Sequence, residues 1–338
     1  MMKTNSPMKR IAGLLLLSIL LFAAACTRPN AYQVNEGWIF GTTYRIVYDA
    51  EGDKHEEIKA LLQRFNASLS TFDSSSVITR FNRSNTGVRA DSFFRTVVEA
   101  GLRISEQSEG AFDMTVAPLV NAWGFGFEQK EQISPTLIDS LRRYVGMQSL
   151  AWQGDSLLKG DPRIMLDASA IAKGYGVDVV AAYLADQGCT NYLVEIGGEV
   201  VTGGLNAKGL PWRIGVDRPA EQTGSVTGDY QFVLGLSNRA LATSGNYRNY
   251  YVEDGKKYAH TIDPRSAYPA SHSLLSATVL APTCMEADAW ATAFMVLGVE
   301  ASKALLSDLP ELDVCFIYHE GEADAVYLTE GFRRLIVE

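Results

Sequence analysis

The spacing of apolar residues predicts a chain in which helices and strands alternate. Between Gly37 and Tyr48, apolar side chains recur at nearly every second position, which is typical of a strand with one buried face. The following segment has the spacing of an amphipathic helix, with apolar positions at Ile58, Leu61, Leu62, Phe65 and Leu69. A second helix is expected from about Asp91 to Gln107, and a short third helix is expected to begin at Ser134-Pro135.

Strands are expected to dominate the second half of the chain. A hairpin turn is predicted at residues 152–156 and a strand at residues 192–201. Further strands are expected over residues 212–216, 230–236, 247–252, 258–262 and 273–281, with a hairpin across Glu253-Asp254-Gly255. A helix at residues 285–297 and short strands within 313–337 complete the pattern. The chain has no internal repeat and no clear linker, so these elements predict an α+β fold of mixed sheets flanked by helices.

The most informative part of the chain is a predicted strand and helix between residues 163 and 188. Residues 163–166 form a short run that is apolar after Arg163, which favours a short buried strand. Asp167 or Ser169 is expected to cap the helix that follows. The helix is predicted to end at Gln187-Gly188. Its packed face is predicted from helical spacing at Ile171, Tyr175, Val179 and Tyr183.

Lys173 lies on the opposite side of this helix, in the first turn, where free N–H groups attract anions. A phosphate group is one anion that would suit this position. Gly174 and Gly176 are costly inside a helix, which suggests that something large approaches the backbone there. The same residues are equally compatible with an ordinary capped helix that carries an exposed lysine.

Composition, charge and cysteine usage exclude several classes of protein. With 338 residues and 47% hydrophobic composition, the chain is long enough for a large core. The formal charge is −9, and residues 1–25 contain three basic residues and no acidic ones, so their removal would leave −12, which argues against a nucleic-acid partner. Three cysteines follow residue 26, too few and too widely spaced for a disulfide framework or a zinc site, and we expect mostly buried thiols at Cys189, Cys284 and Cys315.

The N-terminus has the features of a targeting segment. Lys9-Arg10 precede an apolar run that is too short to span a membrane comfortably and that ends in small residues before Cys26. Residues 1–25 therefore resemble a bacterial lipoprotein signal peptide, with lipidation at Cys26 and a polar tether over residues 26–36. Acyl chains on Cys26 would anchor the protein in the cell envelope, facing the periplasm. An ordinary secretory peptide is the alternative.

Glycine-rich stretches on either side of the central helix are candidates for ligand contact. In Gly110 to Pro118, Asp113 and a nearby threonine interrupt an apolar run, and Trp123-Gly124-Phe125-Gly126 follows. Aromatic residues among glycines suit a flat ring, although a capping aspartate and a packed tryptophan would produce the same pattern. The predicted strand at residues 192–201 includes paired glycines, Gly197 and Gly198, which permit close approach of a ligand or another strand.

Two further positions suit acid–base or metal chemistry. His260 lies on a predicted strand, where it is either a general base near neutral pH or a half-exposed strand histidine. Asp288 and Thr292 are four residues apart on a predicted helix and therefore share a face. Two hard oxygens in this arrangement suit Mg²⁺, although an aspartate near a helix start and a threonine bonded to its own helix would look the same.

Taken in order, these stretches resemble the ApbE family of FAD:protein FMN transferases. The motifs that carry the likeness are Phe40-Gly-Thr-Thr43, Leu69-Ser-Thr-Phe-Asp73, Arg80-Phe-Asn82, Gly110-Ala-Phe-Asp-Met-Thr115, Trp123-Gly-Phe-Gly126, Ala170-Ile-Ala-Lys-Gly-Tyr175, Ile196-Gly-Gly198, Ser244-Gly-Asn-Tyr247, His260-Thr-Ile-Asp-Pro264 and Ala287-Asp-Ala-Trp-Ala-Thr292. Phe40, Asn246 and Ala168-Ser169 depart from the residues usual in the family. The resemblance implies a single two-lobed, T-fold-like domain over residues 37–338.

The resemblance also implies roles for individual residues. Mg²⁺ would be held by the side chains of Asp288 and Thr292 and the backbone carbonyl of Ala170. Asp113 and Lys173 would contact FAD, and His260 would lie beside the pyrophosphate as the catalytic base. The remaining residues expected to wall the flavin nucleotide are Phe40, Ser70, Thr71, Phe72 and the turn containing Ser244, Gly245 and Tyr247.

The reaction implied is transfer of FMN from FAD to an acceptor protein. A threonine or serine hydroxyl of the acceptor, a subunit of a membrane redox complex, would attack the FMN phosphorus, and AMP would leave. Hydrolysis of FAD to FMN and AMP in the same site is an alternative, as is a flavin-binding lipoprotein without chemistry. A dinucleotide oxidoreductase is disfavoured because Val179 replaces the third glycine of the nucleotide-binding fingerprint.

Overall fold

The computed structural model of the protein describes residues 32–128, 130–219, 230–246, 250–253, 256–321 and 323–338. The predicted signal peptide, Cys26 and Tyr247 lie outside these residues. The strands are β1 Tyr32–Ile39, β2 Thr42–Asp49, β3 Gly87–Arg89, β4 Leu150–Gln153, β5 Ser156–Lys159, β6 Tyr192–Ile196, β7 Glu199–Gly203, β8 Trp212–Asp217, β9 Tyr230–Leu236, β10 Arg239–Gly245, β11 Tyr250–Glu253, β12 Lys256–Ala259, β13 Ile262–Asp263, β14 Tyr268–Pro269, β15 Leu274–Ala281, β16 Asp313–Glu320 and β17 Ala323–Leu328.

The α-helices are α1 His55–Leu69, α2 Val77–Arg83, α3 Ser92–Gln107, α4 Ala117–Ala122, α5 Pro135–Leu141, α6 Ala172–Asp186, α7 Cys284–Leu297, α8 Val299–Leu305 and α9 Glu330–Arg333. Single 3-10 turns occur at Met114–Val116, Arg142–Tyr144, Met147–Ser149 and Leu306–Asp308. None of the helices in the described part of the chain combines the length and apolarity needed to cross a bilayer.

An eight-stranded sheet organises the described residues, in the order β1-β2-β6-β7-β10-β15-β16-β17. Each neighbouring pair in this sheet is antiparallel. Helices α6 and α7 pack directly on it, and α1 and α3 pack on those two helices. The α+β prediction is therefore confirmed, and the elements form a single domain.

The central strands are buried on both faces. In β15, Val279 packs on the helical side, whereas the next residue, Leu280, packs on the opposite side. The opposite side is covered by hairpin β8–β9 and by Phe332 of α9. Because each fully buried apolar side chain contributes about 1.5–3 kcal/mol, burial on both faces makes this sheet a rigid base for whatever lies at its ends.

Two predicted strands are in fact hairpins. The strand predicted from Gly37 divides into β1 and β2 at Phe40 and Gly41, which have φ angles of 52° and 74°. The strand predicted at residues 192–201 divides into β6 and β7 at Gly197 and Gly198, with φ angles of 67° and 103°. Two successive residues with positive φ form the tight turn that suits the twist of a hairpin. The first hairpin begins at Tyr32, so the tether predicted over residues 26–36 is too long.

The strand predicted at residues 163–166 is wrong, although Ile164 and Leu166 are buried as expected. The chain is irregular here because side chains take the place of a neighbouring strand. The Asn82 amide bonds both the N–H and the carbonyl of Leu166, at 2.7 and 2.9 Å. The buried Lys159 ammonium donates to the carbonyl of Ile164 at 2.9 Å. We call this arrangement the Lys159–Asn82 clamp.

Helix α6 ends where predicted, at Asp186 before Gln187-Gly188, but the predicted packed face is wrong. Ile171 is fully buried, whereas Tyr175, Val179 and Tyr183 are only half-buried. The helix also starts without a side-chain cap, since Asp167 instead accepts a hydrogen bond from the Ser169 N–H at 2.8 Å. The residues buried within the helix are Gly174, Gly176, Val177, Val180, Ala181 and Leu184.

Most of the remaining predicted elements are confirmed within one to three residues. All five predicted apolar positions of α1 are buried. Asp91 and Ser134 cap α3 and α5, and hairpins β4–β5 and β11–β12 form as expected. Strand β10 was missed, so Ser244 and Gly245 lie at the end of a strand and not in a turn. His260 lies between β12 and β13, and not on the strand predicted at residues 258–262.

Candidate active site

A cavity of about 520 Å³ opens where several elements of the sheet and the helices end. It is bordered by the β6–β7 turn, the end of β10, the first turn of α6 and the middle of α7. Its volume is typical of a small-molecule site. The cavity brings together eight of the residues predicted from sequence: Asp113, Ala170, Lys173, Ser244, Gly245, His260, Asp288 and Thr292.

Four other predicted flavin-binding residues, Phe40, Ser70, Thr71 and Phe72, do not line this cavity. The Phe40 ring packs against Phe65 with centroids 5.3 Å apart, in contact with the apolar core. Ser70 ends helix α1, and Phe72, two residues beyond it, is 85% exposed. Thr71 lies in the turn between them.

Helix α7 carries Asp288 and Thr292 and is held at its start by two oxygen-bearing side chains. Thr283 accepts a hydrogen bond from the N–H of Glu286, and the Asp178 carboxylate of α6 accepts from the N–H groups of Cys284 and Met285, both at 2.8 Å. Burial raises the pKa of Asp178 to about 6, against the lowering effect of these two N–H groups. The start of α7 is therefore tied to α6.

Asp288 and Thr292 project together into the cavity, as their spacing predicts. Asp288 Oδ2 accepts a hydrogen bond from the N–H of Gly174 at 3.0 Å, so the positive end of the α6 dipole faces this carboxylate. The Thr292 hydroxyl lies 3.2 Å from the Ser244 hydroxyl at the end of β10. Thr292 therefore contacts another element of the site.

Lys173 is not an isolated exposed residue, because it lies between two carboxylates. Its ammonium forms an ion pair with Glu199 Oε1 and lies 4.0 Å from Asp288 Oδ1. The Lys173 side chain is 33% exposed, whereas those of Glu199 and Asp288 are 5% and 4% exposed. Sequence reasoning missed Glu199, which follows the paired glycines of the β6–β7 turn.

The charges of this cluster shift one another's pKa values. Burial alone would lower the pKa of Lys173, but the negative charges of Asp288 and Glu199 outweigh burial and raise it. Burial raises the pKa of both Asp288 and Glu199, and Lys173 opposes the rise. Two carboxylates face one ammonium, and Glu199 Oε2 is buried without a hydrogen-bond partner in the described part of the chain. The cluster can therefore accept additional positive charge.

Ala170 reaches the cavity on the irregular loop that follows the Lys159–Asn82 clamp. The Asp167 N–H bonds the carbonyl of Met114 at 2.8 Å, which connects this loop to the segment that contains Asp113. Asp113 caps a 3-10 turn by accepting from the N–H of Thr115 at 2.7 Å. Burial raises the pKa of Asp113, and its bonds to Thr115 and Met147 oppose the rise. Asp113 thus both caps a turn and lines the cavity.

Aromatic residues support His260 at the far side of the cavity. The imidazole lies edge-on to Phe125, with centroids 6.4 Å apart, and Phe125 stacks on Tyr251 at 5.2 Å. Trp123 is buried, stacks on Tyr258 at 5.6 Å and donates to a backbone carbonyl. The packed-tryptophan interpretation is therefore correct for Trp123, whereas Phe125 lines the cavity.

The donor set of the cavity fits a hard divalent cation. Asp288, Thr292 and Ala170 all line the cavity, and they carry a carboxylate, a hydroxyl and a backbone carbonyl, which are oxygen donors of the kind that Mg²⁺ prefers. No cluster of three or more His, Cys, Asp or Glu suited to a metal occurs among the described residues. Mg²⁺ does not require such a cluster, because it usually retains several waters and takes one or two protein carboxylates.

Residues 40–316 match the model of the ApbE family. The chain belongs to the ApbE family. It is 39% identical over 330 residues to the FAD:protein FMN transferase of Vibrio cholerae serotype O1, covering 95% of this chain and 97% of that protein. It is 37% identical over 346 residues to the FAD:protein FMN transferase of Haemophilus influenzae, covering 97% of this chain and 98% of that protein.

Solved ApbE structures have the same fold. The flavin transferase ApbE from Vibrio cholerae matches with a TM-score of 0.81 and 37% identity, covering 91% of this chain and all of that one. The apo form of the flavinyl transferase ApbE from Pseudomonas stutzeri matches with a TM-score of 0.82 and 35% identity, covering 92% of this chain and 98% of that one. The ApbE resemblance inferred from short motifs is confirmed.

Proposed function

We propose that this protein transfers FMN from FAD to a hydroxyl group of an acceptor protein and releases AMP. The observation that carries the proposal is the single cavity in which Asp113, Lys173, His260 and Asp288 converge. Its ApbE relatives are FAD:protein FMN transferases and match nearly the whole chain, which supports the same activity. FAD is the substrate, and the acceptor supplies a threonine or serine hydroxyl.

Each group has a task in this reaction. His260 accepts the proton of the attacking hydroxyl. The bond to the FMN phosphorus forms as the bond to AMP breaks, and FMN remains joined to the acceptor by a phosphoester. Negative charge that develops on the phosphate oxygens is offset by Lys173. Asp113 contacts the FAD molecule from the segment between α3 and α4.

Magnesium is the cation best suited to the donor set. Asp288, Thr292 and the Ala170 carbonyl would hold it, and when bound it would supply positive charge at the pyrophosphate. The buried excess of carboxylate around Lys173 supports this assignment, since an added cation would balance it. Phe40, Ser70, Thr71, Phe72 and Tyr247 belong to the proposal only through the family resemblance.

The N-terminal segment supports a proposal for the cellular compartment in which the reaction takes place. Residues 1–25 have the features of a lipoprotein signal, so we propose that acylated Cys26 anchors the enzyme in the bacterial cell envelope, facing the periplasm. The acceptor would then be a subunit of a membrane redox complex exposed to the same compartment.

The test is incubation with FAD, Mg²⁺ and a candidate acceptor, followed by mass spectrometry of both protein and nucleotide. Transfer gives AMP and an acceptor heavier by FMN, hydrolysis gives AMP and free FMN, and simple binding gives neither. Asp288→Ala should slow AMP release roughly 1000-fold or more, which is about 4 kcal/mol of barrier. His260→Ala should retain FAD affinity and lose rate.

Glu286→Ala is the matched control, because Glu286 lies on the same helix and pairs with Arg103 outside the cavity. It should keep the wild-type rate. Full activity in both Asp288→Ala and His260→Ala would refute the proposed roles.

A further inference from the structure

Glu199 is a charged residue of the site that the proposed reaction does not use. It is the first residue of β7, directly after the Gly197-Gly198 turn, and its side chain is almost completely buried. One carboxylate oxygen, Oε1, is paired with the Lys173 ammonium. The other oxygen, Oε2, has no hydrogen-bond partner among the described residues, and the residue lines the cavity.

The β6–β7 turn passes close to this carboxylate. Gly197 has a φ of 67°, and a Cβ atom at this position would lie 2.8 Å from Thr42 Cγ2 and 3.4 Å from Glu199 Oε2. A side chain there would therefore crowd Thr42 and strain the backbone, and it would just touch the carboxylate. The paired glycines thus allow the tight turn that places Glu199 at the start of β7.

A lysine next to a cation-binding carboxylate raises an electrostatic problem. Lys173 Nζ lies 4.0 Å from Asp288 Oδ1, already at the outer limit of an ion pair, and a small side-chain rotation would form a closer pair. Such a pair would neutralise Asp288 and place an ammonium where a divalent cation must bind. Like charges repel strongly in a site that is shielded from water. Lys173 and a cation can share this site only if the ammonium is held back.

We propose that Glu199 is a positioning residue that holds the Lys173 ammonium away from Asp288 and thereby keeps that carboxylate available to a divalent cation. The inference rests on the proposed function for the identity of the ion as Mg²⁺. It accounts for a buried carboxylate that is paired through one oxygen only.

The inference predicts a specific pattern of Mg²⁺ affinities. Glu199→Gln preserves the size of the side chain and removes its charge, so Lys173 should move to Asp288 and Mg²⁺ affinity should fall at least ten-fold. Lys173→Met should not weaken Mg²⁺ binding, because it removes the competing cation. The double variant Lys173→Met/Glu199→Gln should recover most of the affinity that Glu199→Gln loses.

Isothermal titration with Mg²⁺ measures these affinities without any acceptor or turnover, and circular dichroism checks that each variant is folded. Glu195→Gln is the matched control, since Glu195 lies on the same hairpin, accepts a hydrogen bond from the Gly198 N–H at 2.8 Å and does not line the cavity. It should bind Mg²⁺ as the wild type does.

The possible affinities distinguish a failure of the role proposed for Glu199 from a failure of the Mg²⁺ assignment. If Glu199→Gln binds Mg²⁺ as tightly as the wild type, the inference is wrong. If the double variant stays as weak as Glu199→Gln, the Glu199 carboxylate attracts the ion directly and the positioning role is likewise overturned. Wild-type protein that binds no Mg²⁺ would overturn both the metal assignment and this inference, whereas the two preceding results leave the metal assignment intact.

Discussion

A single methyl group at Gly174 tests the contact between α6 and α7 on which the site depends. A Cβ atom added at this position would overlap the carbonyl oxygen of Cys284 and lie 2.8 Å from the Cβ of Asp288. Because carbon atoms in packed interiors are separated by about 3.5–4.0 Å, the two helices would have to move apart by on the order of 1 Å. Gly174→Ala should therefore disturb Asp288 directly.

The size of the effect follows from three contributions. Overpacking costs about 1–3 kcal/mol. Weakening the buried 3.0 Å hydrogen bond from the Gly174 N–H to the Asp288 carboxylate costs up to about 1.5–3 kcal/mol more. The higher helix propensity of alanine returns about 1 kcal/mol. The free energy of unfolding should fall by about 1.5–5 kcal/mol, which lowers Tm by roughly 2–8 °C in a domain of about 300 residues.

Thermal unfolding followed by circular dichroism, with and without Mg²⁺, is the assay. Gly176→Ala is the control in the same helix, because its added Cβ would meet the edge of the Phe40 ring at 2.9 Å and a ring can shift where a backbone carbonyl cannot. Gly176→Ala should cost less than Gly174→Ala and retain the Mg²⁺ response. Equal Tm values for Gly174→Ala and the wild type would refute the close helix contact.

Three further predictions concern other parts of the chain. Cys26→Ser should release active enzyme from the membrane fraction, and continued fractionation with membranes would contradict the lipoprotein interpretation. That variant retains three buried thiols, at Cys189, Cys284 and Cys315. Burial raises the pKa of each thiol, that of Cys315 to about 12, so a thiol reagent at neutral pH should label them only after unfolding. The pKa of Asp178 is raised to about 6 in the folded protein. Between about pH 4 and 6, the folded protein therefore holds a proton on Asp178 that the unfolded chain has released. The stability contributed by this group falls as the pH rises through that window. In Asp178→Asn, the slope of the unfolding free energy against pH between about 4 and 6 should be more positive than in the wild type, and an identical slope would count against this assignment.

The sequence predicted the long helices α1 and α3 well, because only one face of each is buried, but it did not predict the short helices α8 and α9. Helix α1 carries its apolar residues in a single stripe, and all five predicted positions are buried. Helix α6 is packed against both α1 and α7 as well as the sheet, so its buried residues do not form one stripe, and spacing alone selected the wrong face. Asp288 and Thr292 were found because i and i+4 residues share a face in any helix.

Features that depend on distant partners were not predictable. Nothing near Phe40 in the sequence indicates a positive φ, which is uncommon for a large side chain. Glu199 was missed because its partner, Lys173, is 26 residues away on another element. The irregular path of Ile164 was missed because apolar residues alone favour a strand, whereas the donor that satisfies this backbone comes from Lys159.

The Lys159–Asn82 clamp has a consequence for the order in which the protein folds. Asn82 is separated by 84 positions from Leu166, and the irregular loop between Lys159 and Ala170 has no strand pairing of its own to form first. Closing a long stretch of chain costs entropy before its contacts contribute. We therefore expect this loop to become ordered late, after α2 and β5 have docked. Catalytic competence would then trail the appearance of secondary structure during refolding.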